Sequence, residues 1–500
     1  MRKFITLLAA ILVLGLTAGP VWAGEGDGDE KVPAHPSELE YPPLDYDAPE
    51  KAQYRHVLDN GIVAYLVEDH NLPLFEVTIY LRAGDYVDPE GKEGLASAVG
   101  SVMRSGGTQS MGPEEFDEEA DFLAANISSG LGGTSGRASV NALSKDLDRA
   151  LELFFSMLRT PGFDQERLDL YKRQVMQQME RRNDRTSSIE FREWSRLLYG
   201  NDFYSNRFST KSSIDSITRQ DLLDYHARWI HPANFVIAAS GDFNSRELIS
   251  KLEAAMQEWP AGERAPEIPQ PTAEPKPGVY MVNKEDVNQG RVSIGHLGIS
   301  QENPDRYAIE MMNDVLGGSG FTSRITNRVR SDEGLAYSAG SSMPPGAHYK
   351  APFRAAFQSK SPTVAQAIQI VVEEIERIRS APVTEEELET VKNSAIETFP
   401  RRFSSADSIA STFANDELIG REEGFWKNYR DRIRQVTVAD VQRVAQQYLM
   451  PDQLVILVVG NVQEIMAGHP DRPEYAISKL PGGENPQMIP LPDPLTMKYE

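Results

Sequence analysis

Eight histidines, at positions 35, 56, 70, 226, 231, 296, 348 and 469, are the side chains of this 500-residue chain best suited to hold a transition metal or relay a proton near neutral pH. Only His226 and His231 stand close together, and a separation of five does not face two rings to one side of a helix. With Pro232 directly after them, they read as surface or packing residues near a helix end. Cysteine is absent, which removes disulfides and thiolate metal sites together. Leu316-Gly317-Gly318-Ser319-Gly320 precedes a helical stretch, as phosphate loops do, but lacks the Gly-Lys-Ser/Thr ending and reads as a bend between helices. The Ser- and Gly-rich stretch from Ser128 to Gly136 reads as a turn between strands.

A strand followed by Arg82-Ala83-Gly84, then Gly91-Lys-Glu-Gly-Leu-Ala96 leading into a helix, resembles the insulinase, pitrilysin and mitochondrial-processing-peptidase superfamily of zinc metallopeptidases. The resemblance implies that Gly-Leu-Ala be followed by H-x-x-E-H, with two His ligands one helical turn apart and a Glu to activate the zinc-bound water. Here those five residues are Ser97-Ala98-Val99-Gly100-Ser101. Both ligand positions are Ser and the base position is Gly. Where the family supplies a further Glu ligand, the helix expected over 168–182 places Gln178. Hydroxyls and an amide do not replace two imidazoles and a carboxylate around Zn²⁺. The degenerate positions Ser97, Gly100, Ser101 and Gln178 therefore predict no metal and no cofactor in this chain.

The second half departs from that loss. Ser323-Arg324-Ile325, Val329-Arg330 and Gly334-Leu335-Ala336-Tyr337-Ser338 resemble the family's C-terminal signature, whose Arg and Tyr stand seven residues apart. The resemblance implies that Arg330 and Tyr337 reach across a chamber into a zinc site, hold the substrate backbone and steady the charge of a tetrahedral intermediate. Fixed donors aimed at a developing oxyanion do contribute to transition-state stabilisation. The opposing reading makes Arg330 an ion-pair partner of Asp332 or Glu333 and Tyr337 a core residue.

Positioning these residues requires two copies of one scaffold. Ile217-Thr218, Asp221, Pro232 and Gly241 match Val436-Thr437, Asp440, Pro451 and Gly460, every pair at the same spacing. Leu168, Lys172, Arg181 and Arg182 match Leu388, Lys392, Arg401 and Arg402 at a constant spacing one position longer. The shared unit is a helix, a Pro that stops it and an apolar strand (235–239 and 454–459). Asp59-Asn60-Gly61 predicts a hairpin turn between Val57-Leu58 and Ile62–Val67, and Phe75–Leu81 alternates as a strand. Helices are expected over 95–103, 147–158, 165–182, 305–316 and 321–330, with a strand over 292–297. The expected fold is α+β: two homologous domains, each a mainly antiparallel sheet with helices packed on it, joined by a Pro-rich linker.

The boundaries follow from composition. Arg2 and Lys3, an apolar run from Phe4 to Leu16 and the small Ala23 predict a signal peptide over 1–23; the apolar run is shorter than the roughly 20 apolar residues a membrane span needs. An uncleaved anchor is the rival. An acidic, Pro-rich leader (24–51), a first peptidase-like domain (52–259), a linker (260–278), a second domain (279–476) and a Pro-rich tail (477–500) complete the chain, the tail draped over the surface or loose. A net charge of −23 argues against a nucleic-acid surface. Export without cysteine points to the periplasm. The resemblance then implies a non-zinc subunit of a heterodimeric metalloendopeptidase. Its partner, a homologue with intact H-x-x-E-H, would bring the zinc, and the substrate would be a peptide or unfolded protein. The alternative is an inert pseudo-peptidase serving as a structural or peptide-binding subunit.

Overall fold

The computed structural model describes residues 44–499; the expected signal peptide and most of the leader lie outside them. The chain folds into two six-stranded sheets with helices packed on each, an α+β architecture. The first holds β1 (Arg55–Val57), β2 (Val63–Glu68), β3 (Leu74–Leu81), β4 (Asn126–Gly132), β5 (Ser135–Leu143) and β6 (Phe235–Gly241), in the order β1-β2-β6-β3-β5-β4. The second holds β7 (Gly278–Asn283), β8 (Gln289–Leu297), β9 (Ala336–Ser342), β10 (Pro352–Lys360), β11 (Val455–Gly460) and β12 (Gln487–Met488), in the order β12-β7-β11-β8-β10-β9. Five strands share one order in both sheets, and only β2–β6, β7–β11 and β7–β12 run parallel.

The matched residues of the two halves have matched structural duties. Thr218 and Thr437 each cap a helix (Arg219–Trp229, Val438–Tyr448) by accepting from the backbone N–H three residues on, while the Asp221 and Asp440 side chains accept from the capping threonine's own N–H, completing a capping box. Pro232 and Pro451 open the short turns that deliver β6 and β11, the apolar centres of their sheets. Gly61, at φ +83°, turns β1 into β2, as its pairing with Asn60 requires.

One pair of helices is exchanged between the halves. Thr186–Tyr199 packs on β8 and β11 of the second sheet, burying Ile189, Trp194 and Leu198 against Tyr280, Val455 and Leu457. Its counterpart in the second half, Ala406–Ile419, packs on β2 and β6 of the first sheet, burying Phe413 against Tyr65. Each such large apolar side chain contributes about 1.5–3 kcal/mol. Glu190 travels with the first of these helices: only 2 % exposed, it accepts from Arg354 Nη2 (2.5 Å), Arg291 Nε (3.2 Å) and the Ser293 hydroxyl.

Two expectations change, and the two alternatives for the tail narrow to one. The 128–136 stretch is chiefly strand, with only 133 and 134 outside β4 and β5. The helix expected over 321–330 is broken into a 3₁₀ turn (Gly320–Thr322), a short helical piece (Arg324–Thr326) and a wide π turn (Asn327–Asp332). The tail is strapped down: β12 extends the second sheet, the Pro492 carbonyl accepts from Asn183 Nδ2 (2.8 Å), and Tyr499 lies under Arg196.

Candidate functional site

The helix that resembles the family's ligand helix is Leu95–Ser105. Gly94 enters it at φ +99°, a conformation glycine adopts without strain. Asp88 accepts from the N–H groups of Gly94 (3.0 Å) and Ala96 (2.9 Å), satisfying donors that a helix start leaves orphaned. Burial pushes the Asp88 carboxyl up to about 7 against those two donors, and the Asp85 charge pushes the same way.

On this helix the edge strand β4 is stitched down. Ser97 Oγ donates to the Leu131 carbonyl (3.4 Å), Ser129 Oγ to the Gly100 carbonyl (2.5 Å) and Arg104 Nε to the Ile127 carbonyl (2.8 Å). A Cβ on Gly100 would lie 2.4 Å from the Leu131 amide nitrogen and 2.8 Å from two Gly130 carbons. The space a side chain would need at the position the resemblance gives to a base is therefore filled by the backbone of β4. Ser101 is exposed, and Gln178 is exposed on the Gln165–Glu180 helix alongside. Among the described residues no group of three His, Asp or Glu side chains gathers to hold a metal. Ser, Gly, Ser and Gln do not fit zinc. His226 and His231 are each turned to a backbone carbonyl, of Leu158 (2.7 Å) and Arg228 (2.6 Å), and burial holds the His226 pKa down.

The second half presents the opposite picture. After the Arg306–Asn313 helix, Asp314–Gly318 widens into a π turn. A Cβ on Gly317 would meet the Ser341 amide nitrogen at 2.5 Å, so the Gly-rich bend lies flush on β9. Gly320 (φ +62°) then turns the chain to Phe321, and the Ser323 hydroxyl closes that turn on the Gly320 carbonyl (2.7 Å). Arg324 pairs with Glu387 through two nitrogens (2.6 and 2.8 Å), and Arg328 pairs with Glu373 and Glu374.

Arg330 is treated differently. Its guanidinium carbon lies 4.3 Å from the Phe321 ring centroid and 5.0 Å from that of Tyr337. It has no carboxylate partner among the described residues: Glu333 Oε2 accepts instead from Gln366 Nε2 and Arg472 Nη1, both at 3.1 Å. Tyr337 stands on β9, the outer edge of its sheet, where Ala336 faces Ser359 and Ala339 faces Phe357. Two residues, Tyr337 and Ser338, thus oppose the single Gln358, a bulge that turns both side chains outward. Tyr337 is 86 % exposed. The reading of Tyr337 as core and Arg330 as an ion-pair partner is overturned on both counts.

The structure therefore brings Arg330 and Tyr337 together and keeps Ser97, Gly100 and Ser101 in the other half; no hydrogen bond or ion pair links the two groups among the described residues. A guanidinium held over two aromatic rings with no neutralising carboxylate among the described residues, beside an exposed phenol hydroxyl, can donate to a carbonyl or an oxyanion. Phe321, read from the sequence only as a helix start, is the third member of this group. The available signal was a large aromatic directly after a Gly-rich bend.

Residues 216–395, which include Arg330 and Tyr337, match the family model described as the peptidase M16 inactive domain. The chain is 23% identical over 398 residues to the non-peptidase homolog YmxG of Helicobacter pylori, covering 79% of this chain and 90% of that one. It is 22% identical over 412 residues to the zinc protease PqqE of the same organism, with the same two coverages. Among solved structures, a peptidase M16 inactive domain from Pseudomonas fluorescens superposes with a TM-score of 0.73 at 23% identity, covering 81% of this chain and 97% of that one. No described helix is long and apolar enough to cross a membrane.

Proposed function

The chain is a member of the insulinase-like M16 superfamily, which holds both zinc proteases and non-peptidase homologues, and from that premise we propose that it is the zinc-less subunit of a two-chain metalloendopeptidase. The observation that carries the proposal is a contrast: all four metal and base positions are lost, while Arg330 stays un-neutralised beside the exposed Tyr337. In this reading residues 52–259 keep the fold and residues 279–476 keep the donors.

The partner would be a homologous chain with intact H-x-x-E-H, bringing Zn²⁺, two His ligands and the Glu base. Arg330 N–H groups and the Tyr337 hydroxyl would hold a carbonyl of the substrate backbone and donate to the oxygen on which charge develops. Removing one such donor typically lowers turnover by about 10²–10³. The substrate would be a peptide or unfolded protein, and the signal-like N-terminus supports a periplasmic location. That Helicobacter pylori carries both a non-peptidase relative and a zinc-protease relative of this chain supports a division of labour.

The second reading is an inert structural or peptide-binding subunit, favoured by the β4 backbone seated over Gly100. The test is reconstitution with an H-x-x-E-H homologue and a quenched fluorescent peptide. Neither chain alone should cleave and the mixture should, with the zinc carried by the homologue. Stoichiometric zinc on this chain, or a mixture no more active than the homologue alone, would overturn the proposal.

A further inference from the structure

We propose that Phe321 is a positioning residue: its ring, with that of Tyr337, clamps the Arg330 guanidinium so that its N–H edges face the substrate with no carboxylate to neutralise them. This rests on the reading of Arg330 and Tyr337 as donors to a partner's site.

Phe321 is 67 % exposed, which for a phenylalanine is unfavourable unless the ring has other work. Scattered exposed apolar side chains are ordinary, and Phe122 and Phe191 are two of them; neither has a cation over its ring among the described residues. Phe321 does. The turn that carries it is fixed at several points: the Ser319 hydroxyl donates to the Asp314 carbonyl (2.9 Å), the Ser319 and Thr322 hydroxyls lie 2.8 Å apart, and Ser323 closes on Gly320. The flush contact of Gly317 with Ser341 sets this turn directly against β9, the strand that bears Tyr337. The Gly-rich bend thus delivers one ring to Arg330, and the bulge at Tyr337–Ser338 delivers a second.

The chemistry suits the task. An arginine left without a carboxylate would sample many rotamers, and binding it to substrate would then require ordering it. Cation–π contact with two rings holds the guanidinium in place and leaves its N–H donors uncommitted, whereas a carboxylate would occupy them. Glu333, three residues on, is kept away by Gln366 and Arg472.

Two measurements on the full chain test this. In the first, Arg330 in the isolated protein is labelled with phenylglyoxal and followed by peptide mass spectrometry. Phe321→Leu, which keeps an apolar contact but no aromatic face, should label about two- to fivefold faster than wild type, and Phe321→Trp should label as slowly as wild type or slower. In the second, turnover of the reconstituted complex is measured: Phe321→Leu should lower kcat by a similar factor with KM little changed, and Phe321→Trp should restore it. Equal labelling of wild type and Phe321→Leu, or equal rescue by leucine and tryptophan, would overturn the clamp. A wild-type mixture without activity would overturn the subunit reading instead, while the labelling result still decides the clamp.

Discussion

Gly100 stands where the family's catalytic base would stand, and the Leu131 amide lies where its Cβ would have to go. No side chain larger than glycine's hydrogen fits at this position without displacing β4. Gly100→Ala is expected to destabilise the protein by about 1–3 kcal/mol, because the atom it meets is backbone and cannot swing aside; urea denaturation checks this, and an unchanged midpoint would mean that β4 yields freely. The loss was legible only through the family resemblance, which says where ligands would stand; residue chemistry then says that Ser, Gly and Gln do not supply them. The close fit of β4 over Gly100 was not legible, because it depends on a strand further along the chain. Arg330 and Tyr337 were singled out by the resemblance of 323–338 to the family's C-terminal signature. The exposure of Tyr337 was not legible, because simple alternation along β9 gives no warning of the bulge opposite Gln358. Phe321 was missed because its partnership with Arg330 is made by a 3₁₀ turn and a π turn where regular periodicity predicts one continuous helix.

The duplication is visible in sequence where short motifs fix local structure. The Thr-x-x-Asp caps, the stopping prolines and the central strands repeat at one constant spacing because each is dictated by neighbours in sequence. The exchanged helices, 186–199 and 406–419, repeat as faithfully, at the spacing that separates Leu168 from Leu388. Yet their apolar faces answer to the opposite sheet, so no local pattern in their own half announces them. This exchange carries a buried charge: Glu190 meets Arg291 and Arg354 across the halves. Removing one partner of a buried pair typically costs about 3–5 kcal/mol, and since both arginines keep about a third of their side chains exposed we expect Glu190→Gln to destabilise by about 2 kcal/mol. Because the pair joins the halves, the loss should appear in a single cooperative urea transition. Two separated transitions would show that the halves unfold independently of this helix.

At the scale of the whole molecule the two halves share a sheet order and differ in what they offer a ligand. The first has sealed its helix under β4; the second holds a stacked cation and an exposed phenol on a sheet edge. In the subunit reading proposed above, the signal-like N-terminus would send the chain to the periplasm, where it would meet its partner. What it would contribute there is a pair of donors, and the value of those donors can be read without knowing the natural substrate. The most direct measurement is the turnover of a fluorescent peptide by the complex of this chain with an H-x-x-E-H homologue, wild type against Arg330→Ala, with assembly monitored by size-exclusion chromatography. We expect an unchanged elution profile and a kcat lower by about a hundredfold. Unchanged turnover in an intact complex would contradict this and leave this chain a scaffold.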